Sequence, residues 1–246
     1  MQIKFHIFRG HQSQGEVYQS YSLEVEPQTS ILDCLNQIKW QQDGSLAFRK
    51  NCRNAICGSC AIRVNDQPFL ACKEKISNIL DWLEKTNQTF DHQLTIKPLG
   101  NLPVIKDLVV DMTDFWQGLE AINPYLIRPA SPQPEREFVQ KPAERQSLDQ
   151  VANCILCGAC YSDCDARKKN QDFVGPHALA KVHRFVLDSR DTLASQRLEA
   201  QNNAGMKGIT GCNGCKMCNL SCPMGVAPMT QIETLRIRIF DLLDPL

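Results

Sequence analysis

The sequence has no excess of charge of either sign, since lysine plus arginine and aspartate plus glutamate both total 27 in 246 residues. With no long run of one sign either, nothing indicates a nucleic-acid partner or an anionic membrane surface. No window approaches about 18 consecutive apolar residues, so we expect no segment that spans a bilayer unaided. The opening residues MQIKFHIFRG alternate apolar and polar side chains and therefore predict neither a secretory nor a transit peptide.

Motifs for substrate chemistry are also missing. There is no G-x-G-x-x-G after a strand, no P-loop and no nucleophile elbow, so no nucleotide or flavin pocket is predicted. His177 and His183 lie on a helical stretch without ligand spacing, and we interpret them as ordinary surface or core histidines. We therefore predict no catalytic residue in this chain and place the substrate chemistry in a partner protein.

Cysteine, in contrast, is abundant. The chain has 13 cysteines, an odd number that argues against a framework made only of disulfides. So many thiols, spaced as described below, predict a reducing compartment in which they stay available for metals. Cys34 falls inside a predicted helix, and we interpret it as a small buried side chain and not as a ligand. The other cysteines form three groups of four.

The first group has the spacing C-x4-C-x2-C followed by a distant fourth cysteine, which is the plant-type [2Fe-2S] pattern. It consists of Cys52, Cys57, Cys60 and Cys72. One loop can supply three thiolates and several N–H groups, with Gly58 free to take up positive φ, while a neighbouring strand supplies the fourth thiolate. Structural zinc is the alternative, but zinc sites usually pair two short C-x2–4-C knuckles, which favours iron. Arg53 either offsets the negative charge of the cluster or is a solvated side chain.

The segments CILCGACYSDC and CNGCKMCNLSC repeat one pattern, C-x2-C-x2-C-x3-C. In two-cluster ferredoxins the fourth cysteine of such a run ligates the other cluster. The rule predicts one [4Fe-4S] cluster on a second group, Cys154, Cys157, Cys160 and Cys222. It predicts another on a third group, Cys164, Cys212, Cys215 and Cys218. Three clusters with no catalytic acid or base beside them indicate electron transfer.

The hydrophobic pattern predicts an α+β chain that begins with a β-grasp plant-type ferredoxin domain over residues 1–108. Residues 3–8 and 18–25 alternate like a hairpin, and residues 31–40 follow helical spacing after a capping Thr29 or Ser30. Two short strands that turn at residues 65–67, and one more over residues 92–99, complete the predicted sheet.

The second predicted domain covers residues 109–246 and resembles the α-helical fold of two-cluster bacterial ferredoxins. Residues 175–201 and 228–243 have helical patterns and alternate with the cysteine segments. Residues 128–146 contain four prolines and few apolar side chains, so they predict an extended surface connection.

Several segments together resemble the iron-sulfur subunit of succinate dehydrogenase and fumarate reductase. They are CRNAICGSC, PLGNLPVIKDLVVDMTDFW, CILCGAC, GPHALAKVHRFVLDSRD and CNGCKMCNLSCPMGVAP. The resemblance runs nearly end to end. It is specific because the VIKDLVVDM connector and the DSRD helix have no role in cluster ligation, yet stand in the family's order and spacing.

The resemblance implies a function and its partners. In this family an FAD-containing flavoprotein subunit interconverts succinate and fumarate. Electrons then pass through a [2Fe-2S], a [4Fe-4S] and usually a [3Fe-4S] cluster to a quinone at a membrane anchor. The chain would be a peripheral subunit that an anchor subunit holds at the cytoplasmic face of a membrane.

Cys215 departs from the family pattern. Most members have a non-ligating residue at this position, which is why their third cluster, on the equivalents of Cys164, Cys212 and Cys218, lacks one iron. A thiol there restores four ligands, so we expect a second [4Fe-4S] cluster. The alternative is a [3Fe-4S] cluster, with Cys215 unligated or the fourth iron lost by oxidation.

A second departure concerns the quinone. The family draws on a proline and a tryptophan shortly after the equivalent of Cys164, and on a histidine just after that of Cys212. Residues 165–169 (DARKK) and Asn213 stand there instead, so the usual quinone pocket is not expected. Both departures resemble the subtype whose anchor is a cysteine-rich subunit with repeated CCG motifs. Arg167, Lys168 and Lys169 either contact such an anchor or form a solvated basic turn.

Two other functions stay open. A fumarate reductase subunit, quinol-dependent or thiol-dependent, would use the same three clusters. A free polyferredoxin or iron-sulfur sensor would need no enzyme partner. A free carrier should be acidic enough to steer toward many partners, whereas this chain is neutral and carries the amphipathic residues 233–246, which suit docking.

Overall fold

The computed structural model of the chain describes residues 1–10, 17–128 and 137–243. These residues fall into two compact units. The first comprises Met1–Met112 together with Ile155–Ser162, and the second Thr113–Cys154 together with Asp163–Leu246. The chain therefore leaves the first unit, returns to it for eight residues that include two cysteines, and leaves it again.

A five-stranded sheet forms the first unit. Its strands are β1 (Gln2–Arg9), β2 (Val17–Glu24), β3 (Ala61–Val64), β4 (Gln67–Leu70) and β5 (Gln93–Lys97). They lie in the order β2-β1-β5-β3-β4, with β1 and β5 parallel and the other neighbours antiparallel. Alternate residues of β1 point into the core, where Ile3, Phe5 and Ile7 are fully buried. The turn between β3 and β4 has positive φ at both Asn65 and Asp66, as a tight hairpin requires.

The described part of this unit also contains two longer helices. The predicted helix α1 (Ile31–Gln41) begins after Ser30, whose hydroxyl accepts a hydrogen bond from the N–H of Asp33 at 3.1 Å. Cys34 is fully buried within α1, as expected. Helix α2 (Ile76–Lys85) is not predicted from the sequence, although its buried residues are helically spaced.

A short hairpin, β6 (Val104–Lys106) and β7 (Val109–Val110), follows β5 in the first unit. Asp107 lies at its turn with φ of 52° and is 1% exposed. Its carboxylate accepts hydrogen bonds from Arg9 Nε at 3.1 Å and from the N–H groups of Gly10 and Ala47 at 2.9 and 2.8 Å. The connector thus joins the end of β1 to the segment that leads to the first cysteine group.

Helices dominate the second unit. They are α3 (Thr113–Glu120), α4 (Pro142–Ala152), α6 (Asp165–Lys169), α7 (Pro176–Val186), α8 (Ala194–Asn203), α9 (Met217–Leu220) and α10 (Pro228–Leu243); the short α5 (Ala159–Ser162) belongs to the first unit. Helix α7 is central, since it packs against α3, α4, α8 and α10. His177 and His183 on α7 are core residues that hydrogen-bond the carbonyl of Phe115 at 2.9 Å and the side chain of Gln231 at 2.7 Å.

The predicted extended connection over residues 128–146 is wrong at its second end. Helix α4 begins at Pro142, and Glu144 accepts a hydrogen bond from the N–H of Lys141 at 2.8 Å. Proline suits the first turn of a helix because a backbone N–H at this position would have no partner within the helix, so its absence in proline costs nothing. Residues 129–136 of the connection, and residues 244–246 of the predicted docking segment, lie outside the described residues. No helix over residues 1–10, 17–128 and 137–243 is long and apolar enough to cross a bilayer.

Replacing Asp107 with alanine should destabilise the protein strongly. The change removes a buried carboxylate and leaves Arg9 and two backbone N–H groups without this acceptor, which costs about 3 kcal/mol or more. Chemical unfolding of the full cluster-loaded chain, followed by circular dichroism, measures the loss. The control is Asp149→Ala, which breaks the exposed pair with Arg145 and should cost less than about 1 kcal/mol. Equal losses in the two variants would contradict the role of Asp107.

Candidate iron-sulfur centres

The thiols of the first group come together around the loop of residues 52–60. Cys60 is buried and Cys52 is exposed at the outer edge of the loop. Backbone N–H groups point at the sulfurs: Asn54 and Cys57 donate to Cys52 Sγ at 3.3 Å each, and Ala55 donates to Cys72 Sγ at 3.4 Å. This arrangement stabilises negative charge on sulfur, which a thiolate-bound cluster requires.

Left-handed backbone conformations shape this loop. Gly58 has φ of 70°, as its type allows, but Arg53 and Ala55 also have positive φ, of 58° and 53°. Positive φ at Arg53 and Ala55 is not predicted from the sequence. A side chain at Gly58 is excluded for a second reason, since a Cβ there would lie 2.8 Å from Cα of Cys157. The Arg53 side chain is exposed, so the backbone of Arg53 is its clear contribution to the loop.

The pKa values of two thiols in this loop are shifted in opposite directions. The hydroxyl of Ser59 lies 3.1 Å from Cys57 Sγ, and this hydrogen bond is the main reason that the pKa of Cys57 falls to about 6. Burial raises the pKa of Cys60 to about 12. Ordinary thiols titrate near 8.5, so the Cys57 environment favours the thiolate while Cys60 needs a bound cation to stay ionised.

The second group is divided between the two units. Cys154 and Cys222 pack against one apolar cluster of the second unit, formed by Leu148, Val151, Ala180 and Val226. The N–H of Val226 donates to Cys222 Sγ at 3.4 Å. Cys157 and Cys160 lie on the segment assigned to the first unit, where Gly158 has φ of 82°. The joining of these four thiols at one cluster stays a prediction.

The third group lies wholly in the second unit, and its four thiols are near enough to influence one another. Burial raises the pKa of Cys164 to about 11, and charge on Cys215 and Cys212 adds to the rise. Burial likewise raises the pKa of Cys218 to about 12, with added contributions from the other three thiols. Cys164 and Cys218 are buried, Cys212 is half-buried and Cys215 is exposed. Cys215 therefore stands on the solvent side of the group.

Three hydrogen-bond contacts at or beside the third group are not predicted from the sequence. The N–H of Arg167 donates to Cys164 Sγ at 3.4 Å, and the thioether of Met229 lies 3.6 Å from Cys212 Sγ. Asn213 donates to Asp165 at 2.6 Å across the two cysteine segments. Both predicted roles of Arg167, contact with an anchor and part of a solvated basic turn, need an exposed side chain, and both are wrong for this residue because Arg167 is 8% exposed and pairs with Asp114.

The donor atoms bear on the choice of metal, because thiolates with N–H groups directed at them are the ligands that iron-sulfur clusters use. The donor set, all sulfur with N–H groups aimed at it, fits iron-sulfur clusters.

Comparison with protein families gives two matches that together cover most of the chain. Residues 4–117 match the 2Fe-2S iron-sulfur cluster binding domain, and residues 150–226 match the 4Fe-4S dicluster domain. These matches confirm the predicted [2Fe-2S] and [4Fe-4S] cofactors. The individual ligands, and the number of irons in the third cluster, stay predictions.

Similar proteins carry consistent names. An iron-sulfur subunit of mitochondrial succinate dehydrogenase from Oryza sativa is 39% identical, over 84% of this chain and 69% of its own. The fumarate reductase iron-sulfur subunit of Haemophilus influenzae is 37% identical, over 87% and 83%. That of Mycobacterium tuberculosis is 35% identical, over 94% and 89%. Among solved structures, a chain of the Mycobacterium smegmatis Sdh1 complex in the apo form superposes with a TM-score of 0.84 at 25% identity, covering 100% of this chain and 98% of that one.

Removing the Ser59 hydroxyl should lower the reduction potential of the [2Fe-2S] centre. A hydrogen bond to a ligand sulfur stabilises the more negative, reduced cluster, so Ser59→Ala should disfavour reduction by up to about tenfold, or about 59 mV for a one-electron couple. Redox titration followed by electron paramagnetic resonance measures the shift. Ser77→Ala in α2 is the matched control and should leave the potential unchanged; an unchanged or higher potential in Ser59→Ala would refute the effect.

Proposed function

The chain belongs to the family of iron-sulfur subunits of succinate dehydrogenase and fumarate reductase, and from this premise we propose that it carries electrons from succinate oxidation in a flavoprotein subunit to a membrane anchor. The observation that carries the proposal is the presence of three groups of four cysteines in one chain, two of which the structure gathers within single units. Iron-sulfur clusters supply one-electron transfer when bound, so the role of the protein is to hold them and set their potentials.

The proposed ligands follow the three groups. Cys52, Cys57, Cys60 and Cys72 hold the [2Fe-2S] cluster, Cys154, Cys157, Cys160 and Cys222 hold one [4Fe-4S] cluster, and Cys164, Cys212, Cys215 and Cys218 hold the third cluster. The first group falls in the proposed domain of residues 1–108, and the other two groups fall in the proposed domain of residues 109–246. Support for the first and third groups comes from the mutual approach of their thiols and from the N–H groups directed at them.

We propose that the third cluster is [4Fe-4S], with Cys215 as its fourth ligand. Charge on Cys215 influences both Cys164 and Cys218, which supports its membership of the group. Asn213 precedes it, and the N–H of Cys215 bonds to the Asn213 side chain at 3.4 Å. Gly214 and Lys216 flank it with φ of 75° and 62°, so the chain turns sharply at this thiol.

The proposed partners are an FAD-containing flavoprotein subunit and a membrane anchor, with a quinone as the indirect acceptor. The chain would be peripheral, held by the anchor at the cytoplasmic face of a membrane. For the anchor we propose a cysteine-rich subunit of the CCG type. Lys168 and Lys169 are exposed, and the charge of Lys169 interacts with Cys215. Asp165 and Asn213 bond to each other where the family pattern has quinone-site residues. A subunit of a thiol-dependent fumarate reductase is the second candidate. The electron donor distinguishes the two, because succinate reduces the first complex and a dithiol reduces the second.

The assignment to succinate oxidation can be tested on the native complex, isolated through a tag on this chain. We expect the flavoprotein and anchor to co-purify and succinate to reduce the [2Fe-2S] centre, which electron paramagnetic resonance detects. Malonate, a competitive dicarboxylate, is the control that should suppress this reduction. A complex that succinate leaves oxidised, but that transfers electrons from a dithiol to fumarate, would favour the second candidate. A lone chain without partners would favour a free carrier.

Replacing Cys215 tests the fourth ligand directly. Oxidised [4Fe-4S] centres give no resonance signal, whereas oxidised [3Fe-4S] centres give a strong one. We expect no strong [3Fe-4S] signal in the anaerobically isolated native complex and a strong one in Cys215→Ala, with one iron fewer per chain. Cys34→Ala removes the buried thiol of α1 and should change neither signal nor iron content. A strong [3Fe-4S] signal in the native complex, unaltered by Cys215→Ala, would demote Cys215 to a bystander.

A further inference from the structure

We propose that the buried guanidinium of Arg167 is a positioning residue that raises the reduction potential of the third centre, and that Asp114 opposes this effect. The inference rests on the proposed ligand set of the third group. It concerns two residues of the second unit that are distant in sequence and that ligate nothing.

The geometry ties Arg167 to the centre through Cys164. Its N–H lies 3.4 Å from Cys164 Sγ, at the start of α6. Its side chain turns inward, donates to the carbonyl of Phe173 at 3.1 Å and to Asp114 Oδ2 at 3.0 Å, and is 9% exposed. The guanidinium can lie no further from the thiolate than the length of its own side chain allows. A fixed positive charge is therefore held inside the protein on the residue whose N–H contacts a ligand of the third centre.

Electrostatics sets the direction of the effect. Reduction adds one negative charge to the centre, and a nearby cation stabilises that charge most where burial limits screening by water. Arginine suits this role because it stays protonated. Lys169 and Asp165, also in α6, form an exposed ion pair with each other, so their influence is smaller.

Asp114 should lower the reduction potential of the third centre, and by less than Arg167 raises it. Its side chain is 55% exposed, whereas that of Arg167 is 9% exposed. A cavity of about 560 Å³ in the second unit is lined by both residues, so water reaches the carboxylate side of the pair. The charge of Asp114 is accordingly better screened than that of Arg167, and the pair as a whole acts as a partial positive charge on the centre.

Charge-removing variants of the two partners separate an electrostatic role from a structural one. In the tagged complex we would measure the midpoint potential of the third centre by redox titration with electron paramagnetic resonance. Arg167→Gln should disfavour reduction by about tenfold, or about 59 mV for a one-electron couple. Asp114→Asn should favour reduction by a smaller factor, although it weakens the same ion pair. Arg167→Lys, which keeps the charge, should restore most of the native potential.

Arg145→Gln is the matched control, because it removes an arginine from an exposed pair with Asp149 and should leave the potential unchanged. Shifts of the same sign in Arg167→Gln and Asp114→Asn, or no shift in either, would overturn the inference. If Arg167→Gln fails to load the centre, the sign of the Asp114→Asn shift decides: a lower or unchanged potential overturns it. Native complex with no third centre would instead refute the proposed ligand set, and this inference with it.

Discussion

The fold is organised around one electrostatic requirement: metal-bound sulfur carries negative charge, and the backbone must turn N–H groups toward it. Each of the three cysteine groups shows this contact, from Ala55 to Cys72, from Val226 to Cys222 and from Arg167 to Cys164. Donors can face inward only if the chain reverses within a few residues. The loops therefore pass through the left-handed region at non-glycine positions, and the sheet and helices serve as rigid supports for them.

Sequence reasoning was most successful where one residue type or one period carries the information. Cysteine spacing indicated the cluster types, and the alternation of apolar residues indicated β1 and β2. It was less successful where distant parts of the chain decide. Helix α2 was missed, and Arg167 seemed a surface cation until Asp114, from another element, was found to pair with it. Positive φ at Arg53 and Ala55 could not be predicted from the sequence either, because the residue types do not favour it and the loop adopts it to turn its N–H groups toward sulfur.

The four cysteines of the third group differ in burial, and therefore in how easily each thiol ionises. Cys164 and Cys218 are enclosed, and each is an unfavourable site for a free thiolate, so these positions depend on metal to be ionised. Cys215 faces solvent at a sharp turn between two left-handed residues. The thiol of Cys215 is thus the one of the four that oxidants and chelators in solution reach most easily, whereas the half-buried Cys212 contacts the thioether of Met229 in α10.

The return of residues 155–162 to the first unit has a consequence for the order of events during synthesis. Gly58 of the [2Fe-2S] loop lies directly against Cys157, and Gly100 donates its N–H to Ser162 at 2.8 Å. A nascent chain cannot make these contacts until the ribosome has added about fifty residues beyond Met112 and released them from its exit tunnel. A fragment that ends at residue 112 would lack both contacts, one of which lies in the loop of the first cysteine group.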